Sequence, residues 1–199
     1  MPQVTIIDGG GANIASLQFA LTRLGAESEL TTDPDKIRAA ERVILPGVGA
    51  AADAMDKLRS AGLDEVIPGL EQPVLGICLG MQLLFESSEE EDTPCLRIIE
   101  GRARLLEVAE DRPVPHMGWN RVKKFANAHL LDDIPDDAYF YFVHSYAVDT
   151  VAATMGSTSY GRNFTSVVRM GNFMGTQFHP ERSGKHGAQL LQNFLQQTK

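Results

Sequence analysis

The sequence predicts an α/β fold in three layers: a mostly parallel central sheet between helices, with antiparallel strands added in the second half. Three observations carry this. Apolar runs at residues 4–7, 43–45 and 74–77 are each followed by a glycine-containing turn and a stretch of helical periodicity, the alternation that builds parallel sheets. The run Val74-Leu75-Gly76-Ile77 is continuous instead of alternating, as expected of a strand covered on both faces. Beyond residue 100 the pattern changes to strand-like segments with few helices between them.

Taken in order, residues 4–7 form the first strand. Ile14, Leu17, Leu21 and Leu24 then fall on one face of a helix, and Gly25 stands where it stops. The run 43–45 ends in the loop Leu45-Pro46-Gly47-Val48-Gly49-Ala50, and the run 74–77 leads through Cys78 into a helix that includes Leu83, Leu84 and Phe85. The acidic stretch 86–92 reads as a solvated helix end and loop. Residues 101–107, 121–125, 139–147, 166–169 and 172–178 read as strands, the last two forming a hairpin through Met170-Gly171, with Gly175 weakening the second. A final helix carries Leu190, Leu191, Phe194 and Leu195.

A length of 199 residues with 43% hydrophobic content supports one core, so a single domain over 1–199 is expected. The net charge of -8 and the lack of clustered Lys and Arg argue against a nucleic-acid binder. With only Cys78 and Cys95, a disulfide scaffold is not expected, and a thiol is left for chemistry. A start that opens almost at once into an apolar strand, with no leader pattern and no run long enough to span a bilayer, predicts a cytoplasmic protein. His116, His129, His144 and His186 lack metal-ligand spacing, and Cys95 falls in a polar loop, so neither metal nor cofactor is expected.

Three features point to chemistry. In Gly76-Ile77-Cys78-Leu79-Gly80-Met81-Gln82 a nucleophilic side chain sits between two glycines, after a buried strand and before a helix. That is the pattern of a nucleophile elbow, whose tight turn demands small neighbours. A helix N-terminus favours a thiolate, and the Leu79 N–H can face a developing oxyanion. In Gly175-Thr176-Gln177-Phe178-His179-Pro180-Glu181, a histidine and a glutamate two positions apart share a face of an extended chain. Glu181 can thereby fix the tautomer that leaves the other His179 nitrogen free for proton transfer. The Pro46 to Ala50 loop can aim the Val48 N–H into a neighbouring cleft as a second oxyanion donor. Taken singly, each has a plain alternative: a buried structural cysteine, a surface His-Glu pair, an ordinary strand-to-helix turn. The loop Gly9-Gly10-Gly11-Ala12-Asn13 fits neither nucleotide fingerprint. Trp119, in the polar-flanked loop Pro115-His116-Met117-Gly118-Trp119-Asn120, suits an interface anchor or a core position equally.

The Pro-Gly-Val-Gly loop, the cysteine elbow and the His-Pro-Glu ending, in the order in which they stand along the chain, resemble the class I (triad-type) glutamine amidotransferases. Gly-Ile-Cys-Leu-Gly-Met-Gln-Leu-Leu-Phe, Pro-His-Met-Gly-Trp-Asn, Tyr-Phe-Val-His-Ser-Tyr and Gly-Thr-Gln-Phe-His-Pro-Glu are similar in particular to the glutaminase subunits of imidazole glycerol phosphate synthase. The resemblance implies the glutamine amidotransferase-like (flavodoxin-like) fold and hydrolysis of glutamine through Cys78, His179 and Glu181. It further implies an oxyanion hole of Val48 and Leu79 and a substrate site including Gly47, Gln82, Ser145 and Tyr146, with His144 a neighbour of undecided role. The implied partner is a (β/α)8 barrel cyclase subunit, forming a heterodimer and receiving the ammonia through the barrel. Asn13, Met117, Trp119, Asn120 and Tyr141 lie in motifs that border that barrel in the family. Arg182 departs from the lysine common after His-Pro-Glu, and the two differ in hydrogen-bond geometry.

Overall fold

The computed structural model of the chain describes residues 1–9 and 14–197. Its strands are β1 (Gln3–Ile7), β2 (Glu27–Thr31), β3 (Val43–Gly47), β4 (Val74–Cys78), β5 (Phe85–Ser88), β6 (Thr93–Pro94), β7 (Ile99–Leu105), β8 (His116–Lys124), β9 (Ala138–His144), β10 (Tyr146–Val148), β11 (Thr154–Tyr160), β12 (Arg162–Met170) and β13 (Phe173–Thr176). The helices are α1 (Ile14–Arg23), α2 (Pro34–Ala39), α3 (Ala51–Ser60), α4 (Leu63–Val66), α5 (Leu79–Leu83) and α6 (Gly184–Leu195).

The main sheet has nine strands in the order β2-β1-β3-β4-β13-β12-β11-β8-β9. From β2 to β13 neighbours pair in parallel, and from β13 to β9 they pair antiparallel. The order β2-β1-β3-β4 is that of the flavodoxin-like α/β fold. A smaller sheet, β10-β7-β5-β6, packs beside it.

Side-chain alternation along the central strands assigns the layers. Ile44, Leu75 and Ile77 join Leu17 and Leu21 of α1 and Leu190, Leu191 and Phe194 of α6 in one apolar cluster. Val43, Leu45 and Val74 join Ile37 of α2, Met55 and Leu58 of α3, and Leu63 and Val66 of α4 in a second. Both faces of the central parallel strands β3 and β4 are thus buried, which is why their sequences lack polar positions before Cys78. Cys78 falls at the carboxyl end of β4, with Gly47 of β3 paired beside it and the end of β13 on its other flank. In open α/β sheets this is where ligand crevices form.

Several elements differ from the sequence reading. Phe85 starts a strand instead of extending a helix, because α5 stops after little more than one turn and the chain turns into the smaller sheet. β2 and β11 were not anticipated: β2 is a polar edge strand, and β11 is built largely of small and hydroxyl residues whose pairing is set by β12 and β8. Trp119 lies in β8 and not in a loop. The hairpin at Met170-Gly171 forms, with Met170 opposite Phe173. Among the described residues, no helix is long and apolar enough to cross a membrane.

Candidate active site

Cys78 occupies the turn between β4 and α5 with φ 55° and ψ -110°, a strained conformation for a residue with a side chain. The strain is imposed by close packing. A Cβ on Gly80 would lie 1.8 Å from the Leu45 carbonyl oxygen, and one on Gly76 would lie 2.7 Å from that of Gly80. Only glycine lets the first turn of α5 press onto β3 and β4, and that pressure holds Cys78 at the mouth of the sheet. The thiol donates to the Val143 carbonyl at 3.6 Å and accepts from Gln177 Nε2 at 3.8 Å.

His179 and Glu181 meet as the sequence predicts, by a different route. β13 ends at Thr176, His179 is extended, and Pro180–Arg182 forms one 3-10 turn that carries the Glu181 carboxylate back to the imidazole. Glu181 Oε1 lies 2.8 Å from His179 Nδ1, and both side chains are almost wholly buried. The His179 main chain is clamped: its N–H donates to Tyr141 O at 2.9 Å, and its carbonyl accepts from Ser183 Oγ at 2.7 Å. Ser183 Oγ also accepts the Tyr141 N–H, tying the histidine to β9. Burial acts to lower the His179 pKa, but hydrogen bonding and charge interaction with the Cys78 sulfur and the Glu181 carboxylate outweigh it and raise it to about 10.

Cys78 and His179 both open onto a cleft of about 350 Å³, a size suited to a small molecule. Val48, Gly49, Leu79, Gln82, Glu90, Pro115, Val143, His144, Ser145, Tyr146 and Arg182 complete its lining. Val48, Leu79, Gln82, Ser145 and Tyr146 are therefore brought together as expected. Gly47 is not part of this lining and lies under the elbow, where a Cβ would be 2.6 Å from the Gly80 nitrogen. Leu79 is the first residue of α5, so its N–H has no partner within the helix. Gln82 spends both amide hydrogens, on Tyr146 O at 2.8 Å and on Gln177 Oε1 at 2.9 Å, leaving its oxygen for a ligand.

Met117 and Trp119 project from the outer side of β8, 64% and 55% exposed. Trp119 meets Tyr141 edge-on at 6.0 Å, and the Arg182 guanidinium lies 4.4 Å from the centre of the Tyr141 ring. Arg182 thus joins this aromatic rim to the cleft. Asn120, next on β8, turns to the opposite side and binds His116 and Ser159 O. Asn13 and the loop 10–13 lie outside the described residues.

Sequence reasoning missed Glu90, Gln177 and Ser183. Glu90 belongs to the stretch read as a solvated acidic loop, yet it reaches the cleft and its Oε2 accepts the Ala51 N–H at 2.7 Å, capping α3. A run of four acidic residues, Glu89 to Asp92, hides which one turns inward. Gln177 is a fully buried amide beside the thiol, and its place within the His-Pro-Glu motif was the available signal. Cys95 lies in the loop after β6, as read from the sequence, but is buried there, and burial pushes its thiol up to about 11. No cluster of His, Cys, Asp and Glu capable of holding a metal occurs among the described residues.

Comparison with known proteins gives a consistent picture. Residues 5–198 match the family described as Glutamine amidotransferase class-I. The chain is 50% identical over 196 residues to the imidazole glycerol phosphate synthase subunit HisH of Xylella fastidiosa, covering 98% of each chain. Identity to the subunit of the same name from Haemophilus influenzae is 49% over 198 residues, covering 100% of this chain and 99% of the relative. Among solved structures, PurLQS from Thermotoga maritima aligns with a TM-score of 0.74 at 18% identity, covering 98% of this chain and 97% of that one. A glutamine amidotransferase from the same organism aligns with a TM-score of 0.65 at 18% identity, covering 93% of this chain and 78% of that one. At these identities the two structures speak to the fold alone.

Proposed function

The chain belongs to the class-I glutamine amidotransferase family, and on that premise we propose that it is the glutaminase subunit of an imidazole glycerol phosphate synthase. It hydrolyses glutamine to glutamate and ammonia within one domain and delivers the ammonia to a (β/α)8 barrel cyclase subunit. There the ammonia enters the synthesis of imidazole glycerol phosphate and aminoimidazole carboxamide ribonucleotide in histidine biosynthesis, in the cytoplasm. The observation that carries the chemistry is the buried His179, bonded to Glu181 on one side and facing Cys78 on the other, at the head of the cleft.

The steps follow from the positions. Cys78 sulfur attacks the side-chain amide carbon of glutamine, and the oxyanion forms against the N–H groups of Leu79 and Val48. The imidazolium of His179 gives its proton to the departing ammonia, with Glu181 holding the ring through Nδ1. Water, deprotonated by the now neutral ring, then cleaves the glutamyl thioester. Glutamine is a zwitterion, and the cleft offers Glu90 to its ammonium and Arg182 to its carboxylate. The amide oxygen of Gln82 and the Ser145-Tyr146 main chain complete the pocket.

Relatives matching this chain nearly end to end are named as subunits, which supports a partner. The rim formed by the exposed Met117 and Trp119 and the half-buried Tyr141 is its docking surface, and ammonia passes from the cleft into the barrel. Ligand bound in the barrel raises glutaminase activity by reorganising the Pro46 to Gly49 loop. The test is glutamate release from glutamine, with and without the barrel partner and its nucleotide ligand. Activity is weak alone and strongly stimulated in the liganded complex. In Cys78→Ser glutamate release is lost, while added ammonia still supports synthesis by the partner. A Cys78→Ser protein with full glutaminase activity refutes the mechanism, and partner-independent turnover at a comparable rate favours a free-standing hydrolase.

A further inference from the structure

The side of the cleft facing the triad is held by a buried series of hydrogen bonds that fixes the state of two histidines. The Tyr146 carbonyl can only accept, so His144 Nδ1, 2.8 Å away, carries a hydrogen. In the neutral ring His144 Nε2 must then accept, and its neighbour at 3.0 Å is His116 Nδ1, which therefore also carries a hydrogen. His116 Nε2 is left to accept in turn, and Asn120 Nδ2 stands 3.3 Å away as the donor. The Asn120 amide is locked in this orientation, with its other N–H on Ser159 O at 3.1 Å and its oxygen accepting the Arg121 N–H at 2.8 Å. In the opposite direction the Tyr146 carbonyl also receives Gln82, whose second hydrogen goes to Gln177, whose amide reaches Cys78 sulfur.

A charge on His144 would place two hydrogens in the 3.0 Å gap to His116, and a charge on His116 would set a ring hydrogen against the Asn120 amide hydrogens at 3.3 Å. Packing enforces the neutral state as well. His116 is stacked between Phe142 and Tyr160, at 4.9 and 4.0 Å between ring centres, and Phe164 closes over both imidazoles. Burial alone pushes His116 down to about 4, and burial first of all pushes His144 down to about 3.

Building on the proposed glutaminase reading, we propose that His116 and His144 are positioning residues for glutamine hydrolysis. They hold the Tyr146 carbonyl, and through it Gln82 and Gln177, in place beside Cys78. The same series ties that wall of the glutamine pocket to Asn120 on β8, the strand whose outer side carries Met117 and Trp119. Strand β8 thus reads the docking surface on one side and the pocket on the other.

The test uses the full chain in complex with the barrel partner and its nucleotide ligand. His144→Phe keeps ring bulk and removes both hydrogen bonds. His144→Asn restores a donor where Nδ1 stands, and His116→Phe keeps the stack while removing the relay. Expected is an increase in KM for glutamine of about tenfold in His144→Phe with kcat changed by less than about threefold, since one buried hydrogen bond to the pocket wall is lost. His144→Asn recovers most of that loss, and His116→Phe gives a smaller increase. In the Cys78→Ser background, calorimetry shows glutamine affinity falling by the same factor in His144→Phe. Independently of turnover, nitrogen NMR of the two rings at about pH 7 shows both neutral with the hydrogen on Nδ1. An active wild-type complex with KM unchanged in a folded His144→Phe, or rings found charged or protonated on Nε2, overturns the proposal. A wild-type complex that releases no glutamate overturns the glutaminase reading itself.

Discussion

At the residue scale, burial acts in the same direction on His179 and His144, and the outcomes are opposite. Both are pushed toward the neutral form, but His179 has the Cys78 sulfur and a carboxylate against it and rises to about 10, whereas His144 has only the Tyr146 carbonyl against it, with the neighbouring imidazoles adding to the lowering, and falls to about 3. The first is equipped to give a proton, the second to hold a carbonyl. Replacing Glu181 by Gln removes a charge that raises His179, so the imidazolium persists over a narrower range. The alkaline limb of the pH profile of kcat/KM for glutamine then moves to lower pH by about one unit or more, and kcat drops about a hundredfold or more. A pH profile of glutamate release measures both. Cys78, His179 and Glu181 were legible because their motifs are local, with the partners adjacent or two positions apart. Gln177 and Ser183 were not, because their roles are contacts with Cys78, far back in sequence, and with Tyr141 on β9.

At the scale of elements, the elbow depends on glycines whose missing side chains are filled by backbone. Gly80 sits against the Leu45 carbonyl, which cannot move without displacing β3 from β4. Gly80→Ala is expected to cost about 3 kcal/mol or more and to abolish glutamate release. Gly171, in the β12–β13 turn, also has positive φ, at 60°, but nothing stands within 4 Å of an added Cβ. Gly171→Ala should cost only about 1–2 kcal/mol, the local backbone penalty, with activity retained. Urea denaturation of the two variants distinguishes them. The elbow was read from glycine spacing, yet which glycine bears on which strand was not, because that depends on how α5 lies across β3. The 3-10 turn at Pro180–Arg182 was likewise hidden: a sequence of extended type was bent by the clamp on His179.

At the scale of the molecule, the antiparallel half of the sheet carries the proposed docking surface on one side of β8 and the histidine pair on the other. Trp119 contributes little to the core, being 55% exposed. Trp119→Ala should leave thermal unfolding nearly unchanged while weakening the complex with the barrel partner about thirtyfold, the effect of losing an interface anchor worth about 2 kcal/mol. Titration by calorimetry with the partner reads this out. Two buried neutral imidazoles also set an acid limit on the fold. Their folded-state pKa values lie below the ordinary 6.5, so the unfolded chain binds more protons. Their contribution to stability is present above pH 6.5 and is lost as pH falls toward about 4 and about 3, at up to about 1.4 kcal/mol per pH unit for each ring. Denaturant unfolding at a series of pH values should show that slope, shallower in His144→Phe.

Local sequence was enough for the buried parallel strands β1, β3 and β4 and for the candidate reacting residues, because continuous apolar strands, helical periodicity and glycine-flanked turns are encoded within a few neighbouring positions. Tertiary structure alone decided which acidic residue enters the cleft, where β2, β5 and β11 pair, on which side of β8 Trp119 and Asn120 fall, and that His116 and His144 share one proton order. Each of those is settled by a contact between segments remote in the chain. Burial there makes a polar group take the single partner within reach, whatever its local sequence prefers.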